Sequence, residues 1–187
     1  MAEIVDGAHP KADGGHKRGL PSLPRVDAIW HDARYQREYT RLEELERDRA
    51  FCRHGLRHLM DVARIMWILN LERGCGLGRE AVYAAALLHD IGKAAQYETA
   101  EPHEVASARI AAEILDGLAP ALRFDDAERA AILTAIRGHR RLRADAEPLE
   151  RLLFQADKAS RPCFACPEGV RAACSWSDAK KNLNLAL

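Results

Sequence analysis

Long apolar runs are missing from this chain. No stretch approaches the roughly 20 consecutive apolar residues that a membrane-spanning helix needs. The opening MAEIVDGAHPKADGGHKRGLPSLP likewise lacks the apolar core of a secretory signal, so a soluble, cytoplasmic protein is expected. Net charge is also missing: 28 basic residues stand against 28 acidic ones without long like-charge blocks. That argues against a dedicated nucleic-acid surface or an acidic tail. Alternating β-branched strand patterns are absent. So are a phosphate-binding glycine loop, a dinucleotide fingerprint and a Ser-His-Asp order. The 5 cysteines cannot all pair within one chain, and in a reducing compartment they read as thiols or metal ligands.

What the chain does contain, from Arg25 onward, is helical periodicity. VDAIWHDARYQREYTRLEELERDR reads as one helical stretch, with Ile29, Ala33, Tyr35, Tyr39, Leu42 and Leu45 in a loose stripe. LRHLMDVARIMWILNLERG follows, stopped by Gly74, and then REAVYAAALLHDIG, stopped by Gly92. HEVASARIAAEILDG, DDAERAAILTAIRGH and PLERLLFQADKA are each apolar on one face. The expected fold class is all-α, without internal repeats. Residues 1–24 are expected to form a mobile tail with His9 and His16 on its surface.

Two ionisable residues, His89 and Asp90, close the apolar segment AVYAAALL in LLHDIGK. A similar pair, His31-Asp32, has no set of partners and is assigned a structural role. A helical hairpin turning near Gly74–Gly78 brings His58 to within about one helical turn of His89. Downstream, His103, His139 and Asp157 also lie near the ends of apolar helices. Taken singly, each is an ordinary helix-end residue. As a set, His58, His89, Asp90, His103, His139 and Asp157 suit two divalent ions such as Fe, Mn, Ni, Co or Zn. A carboxylate can bridge two ions, and four imidazoles with two carboxylates leave coordination positions open for water and substrate.

The order His…His-Asp…His…His…Asp over residues 50–160 resembles the HD-domain superfamily of metal-dependent phosphohydrolases. HLMDVARI is similar to its first-ligand helix, LLHDIGK to its naming motif, and HEVASARIAAEIL, AIRGHR and LLFQADKASRP to the later ligand segments. Within the two-metal subtype, the AIR-x-H and AD segments resemble HD-type symmetrical diadenosine tetraphosphate hydrolases. The resemblance implies an HD helical bundle over residues 25–187. It also implies one ion on His58, His89, Asp90 and Asp157, and a second on Asp90, His103 and His139. A metal-bridging hydroxide would attack a nucleotide or dinucleotide polyphosphate, a small phosphorylated substrate. Many two-metal members carry a second His after the fourth ligand, where this chain has Arg140. That arginine either contacts phosphate or caps a solvated helix end. Lys93 is either a charge-neutralising catalytic cation or a helix-end cation. The competing functions are a di-iron HD-fold oxygenase and a non-catalytic ligand-binding HD protein.

His54, four residues before His58, is expected on the same helix face, as an acid, a base, a phosphate contact or the true first ligand. Finally, RPCFACPEGVRAACSW carries Cys163, Cys166 and Cys174, with Cys52 as a candidate fourth partner. Cys163-x2-Cys166 has metal-knuckle spacing, and the four are either a second metal site, zinc or iron–sulfur, or free thiols. Cys75 is assigned to neither.

Overall fold

The computed structural model describes residues 21–185, and no strand occurs among them. The expected mobile tail, with His9 and His16, falls outside the described residues except for its last four positions. Pro24 itself opens α1 (Pro24–His31), where its fixed φ and missing N–H suit a first helical position.

The single stripe expected from Val26 is in fact two helices. The chain leaves the helical region at Asp32 and restarts as α2 (Ala33–Leu45). The Asp32 carboxylate accepts hydrogen bonds from the Arg34 and Tyr35 amides at 2.9 and 3.0 Å, satisfying two otherwise unpaired donors. His31-Asp32 is therefore a helix boundary, consistent with its structural assignment. The kink folds Trp30, Tyr35 and Tyr39 into one aromatic cluster, with ring centroids 5.3–6.1 Å apart.

α3 (Leu56–Glu72) and α4 (Arg79–Leu88) form the expected hairpin. Gly74 and Gly76 take φ of 59° and 70°, a region that favours glycine. Asn70 then fastens the turn, donating to the Leu77 carbonyl and accepting from its amide, both at 3.1 Å. α4 is apolar on nearly every side and is correspondingly the buried central helix. Its alanines let α3, α7 (Asp126–Gly138) and α1 pack around it. α6 (His103–Gly117) lies against α7, and α8 (Pro148–Ala159) spans α3 and α7.

The helix at Lys93–Thr99, here α5, has no counterpart in the sequence reading, being only 7 residues long. It begins after the turn His89-Asp90-Ile91-Gly92, which passes close beneath α6. A methyl on Gly92 would meet the Ser107 amide nitrogen at 2.3 Å and Ala106 carbon atoms at 2.6 Å. The amide of Gly92 also donates to the Ser107 hydroxyl at 2.9 Å. Gly92→Ala is therefore expected to destabilise the fold by about 3 kcal/mol, the upper end for overpacking. Chemical denaturation checks this: a midpoint equal to that of the wild type would mean that α6 gives way without strain.

Candidate metal centre

Each helix end delivers one or two ionisable groups to the same point. His58 comes from the first turn of α3, His89 and Asp90 from the turn after α4, and His103 from the start of α6. His139 follows α7, and Asp157 projects from α8. All six are buried. Burying an ion without a partner is strongly unfavourable, so such a set requires close mutual compensation.

The geometry divides the set at Asp90. Its Oδ2 faces the Nε2 atoms of His58 and His89, at 3.4 and 3.0 Å. Its Oδ1 faces those of His103 and His139, at 3.3 and 3.7 Å. Asp157 closes the first group, with Oδ1 lying 3.6 Å from His58 and 3.9 Å from His89. Two sets result, His58-His89-Asp90-Asp157 and Asp90-His103-His139, each with donor atoms mutually within 4.8 Å. They share Asp90 and so have the form of a two-ion centre.

The opposite edge of each imidazole decides what the centre wants. His89 and His139 donate from Nδ1–H to the Ala86 and Ile136 carbonyls, at 2.7 and 2.6 Å. His103 Nδ1–H donates to Gln96 Oε1 at 2.5 Å; Lys93 donates to the same oxygen at 3.2 Å. His58 Nδ1–H donates to Ser160 Oγ at 3.0 Å, whose own proton goes to the Asp157 carbonyl at 2.8 Å. Every ring thus turns Nε2 inward, as ligands held by an outer hydrogen bond do. The Nε2 atoms of His103 and His139 lie 3.1 Å apart, and with both Nδ1 protons committed neither neutral ring has a proton to share. Two lone pairs at that distance call for a cation between them.

The protonation states of five of the six agree. Burial, reinforced by Lys93, His139 and Arg140, pushes the His103 pKa down to about 2. Burial and His89 lower that of His139 to about 4, and burial with Arg161 and His89 lowers that of His58 to about 4. His89 moves the other way: burial opposes its charge, but Asp90 and Asp157 outweigh burial and raise its pKa. Burial also opposes ionisation of both carboxylates. His89, His54 and His58 nevertheless hold Asp90 well below its usual range, and Lys158 and His89 do so for Asp157. Neutral imidazoles and ionised carboxylates are the forms that bind divalent metals.

Residues 55–161 match the HD domain family, more than half of the chain. The chain belongs to the HD-domain family. This is a family of typically metal-dependent hydrolases, and the buried His/Asp clusters of this HD domain are fit to hold divalent ions. The chain is also similar to a protein of Clostridium beijerinckii described only as an uncharacterized protein. The two are 39% identical over 163 residues, covering 87% of this chain and 99% of that protein. No solved structure matches the chain.

The remaining sequence candidates are placed differently. His54 precedes α3 and so does not share a helix face with His58; their rings meet edge-on, 5.9 Å apart. His54 joins neither donor set but lines the cavity above them. Lys93 is largely buried, 3.4 Å from His103 Nδ1. Burial lowers its pKa, with Asp90 opposing and Arg140 and Arg49 adding to the fall. Arg140 lines the cavity while half-exposed, its guanidinium 3.1 Å from Glu104. Cys52, Cys163, Cys166 and Cys174 line the same cavity, and none is in a disulfide.

Glu46 has no counterpart in the sequence reading. Its buried carboxylate accepts from the His54 amide at 2.6 Å, and from His54 Nδ1–H and the Tyr97 hydroxyl at 2.5 Å each. Burial opposes its charge, but these bonds prevail and lower its pKa to about 2. A carboxylate depressed on folding stabilises the fold above its unfolded pKa of about 4.3. That contribution is lost as pH falls from there towards about 2. Glu46→Gln should reduce stability at pH 7 by about 2 kcal/mol, since bonds to a charged acceptor are the stronger kind. The variant should also show a shallower loss of stability below about pH 4.5 than the wild type. Parallel acid-denaturation curves for the two proteins would show that Glu46 does not titrate as described.

Proposed function

We propose that this HD protein is a metal-dependent phosphohydrolase acting on a nucleotide or dinucleotide polyphosphate. The observation that carries the reading is that Asp90, His103, His139 and Asp157, members of the two Asp90-sharing donor sets, line a cation-rich cavity of about 330 Å³. That volume is at the low end for small-molecule sites, so only one half of a dinucleotide would be enclosed. Bound divalent ions would lower the pKa of coordinated water and neutralise phosphoryl charge, supplying a nucleophile near neutral pH.

The chain's own residues do the rest. Asp90 sets the spacing of the two donor sets by presenting one oxygen to each. Lys93 and Arg140 face the cavity as cations that hold phosphoryl oxygens. Arg161 is buried on the wall, its guanidinium 3.0 Å from His58 Nε2. His54 has its Nδ1 proton fixed by Glu46, so its Nε2 is free to hold or pass a proton at the leaving oxygen. Arg140→Ala is expected to raise KM about tenfold for a tetraphosphate-bridged substrate and less for a monophosphate. Equal losses for both would remove Arg140 from polyphosphate recognition.

The reading itself is tested by supplying metal-loaded protein with mono-, di- and triphosphates and dinucleoside tetraphosphates, with and without oxygen. Release of phosphate or nucleotide independent of oxygen is expected. Oxygen consumption with no phosphorus–oxygen cleavage would move the protein to the oxygenase class.

A further inference from the structure

We infer that Cys52, Cys163, Cys166 and Cys174 bind an iron–sulfur cluster in the cavity wall, distinct from the His/Asp centre. The thiols come from two distant parts of the chain and line one cavity. A side-chain hydrogen bond to the backbone joins the two parts. Arg161 donates to the Arg53 carbonyl at 2.7 Å, fastening the residue beside Cys52 to the start of the cysteine segment. The Cys163 amide donates to the Arg161 carbonyl at 2.8 Å. A turn closed by Cys166 N–H on the Cys163 carbonyl, 3.2 Å, sets the first two thiols. The short helix α9 (Glu168–Ala172) then returns the chain so that Cys174 reaches the same wall.

Four thiols share this wall without forming a disulfide. Among the described residues, no three of their sulfurs lie within 4.8 Å of one another. A single tetrahedral zinc, at about 2.3 Å from each sulfur, requires all four within about 4 Å of one another. A cluster puts its thiolates on separate irons, so it spreads them more widely. The absence of a tight set of sulfurs counts against a single zinc ion. The cluster's negative charge would be offset by Arg49, Arg171, Lys180 and Lys181, which line the same cavity. On assembly each of the four thiols releases its proton to solvent and forms one sulfur–iron bond, with two ferrous ions, two ferric ions and four inorganic sulfides as the co-reactants, so that no further oxidant is needed. The cluster would then clamp residues 163–174 to Cys52 and complete one wall of the cavity.

The test is made on the full chain, purified without oxygen and reconstituted with equal ferrous and ferric iron and with sulfide. The expected product is brown, contains acid-labile sulfide, and is bleached by dithionite. Cys166→Ser and Cys174→Ser should each lose colour and labile sulfide while keeping helical circular dichroism and the metal of the His/Asp centre. Wild-type protein without labile sulfide after reconstitution overturns the cluster, whatever the variants do. Zinc at one ion per chain that disappears with the cysteines overturns it equally, as does labile sulfide retained by a Cys166→Ser/Cys174→Ser double variant. None of these readouts depends on phosphohydrolase activity.

Discussion

Asp90→Ala is expected to abolish turnover, with kcat/KM falling by about ten-thousandfold or more, because charge stabilisation by metals is lost at both positions together. Each Asp90 oxygen faces a different histidine pair, so no other single change removes a donor from both sets. His139→Ala, by contrast, touches only the smaller set. The variants should therefore differ in metal content as well as rate. Asp90→Asn is the companion change, since it keeps the volume and one carbonyl oxygen while weakening the bridge. The assay is turnover beside circular dichroism, so that a misfolded variant is recognised. An Asp90→Ala protein that is folded, metal-replete and active would show that another group joins the two sets.

Removing metal should lower stability nearly as markedly. The centre buries two ionised carboxylates and places the His103 and His139 lone pairs 3.1 Å apart, a contact that cations relieve. A ligand at a thousand times its dissociation constant stabilises the folded state by about 4 kcal/mol per site. With two sites in a chain of this size, that corresponds to a fall in Tm of about 20 °C on chelation. Calorimetry with and without a strong chelator, at fixed pH, measures it. Three of the histidines have lowered pKa values, whereas that of His89 is raised and its proton must leave when metal binds, so the stabilisation should grow as pH rises through the neutral range. A melting temperature indifferent to chelation would mean that the six donors tolerate their own repulsion.

The six residues that converge here stood out in the sequence because ionisable groups end otherwise apolar helices. Helical periodicity and two turn glycines were enough to bring His58 near His89. What the sequence did not disclose depends on approach through space. Glu46 and Tyr97 are 51 residues apart yet share a hydrogen bond, and no local pattern links them. Gln96 and Ser160, which orient His103 and His58, are ordinary polar residues until the fold sets them opposite a ring. Arg161, buried against His58, likewise belongs to no local pattern. The break at Asp32 and the short α5 escaped because a capping aspartate and a seven-residue helix barely disturb a 3.6-residue stripe.

The central claim is that Asp90 joins two ion positions, and anomalous diffraction from a crystal grown with a transition metal tests it most directly. Two peaks per chain are expected at the His/Asp centre. One should lie about 2.0–2.2 Å from donor atoms of His58, His89, Asp90 and Asp157, the other at similar distances from Asp90, His103 and His139. A single peak there, or two peaks of which only one touches Asp90, would contradict it.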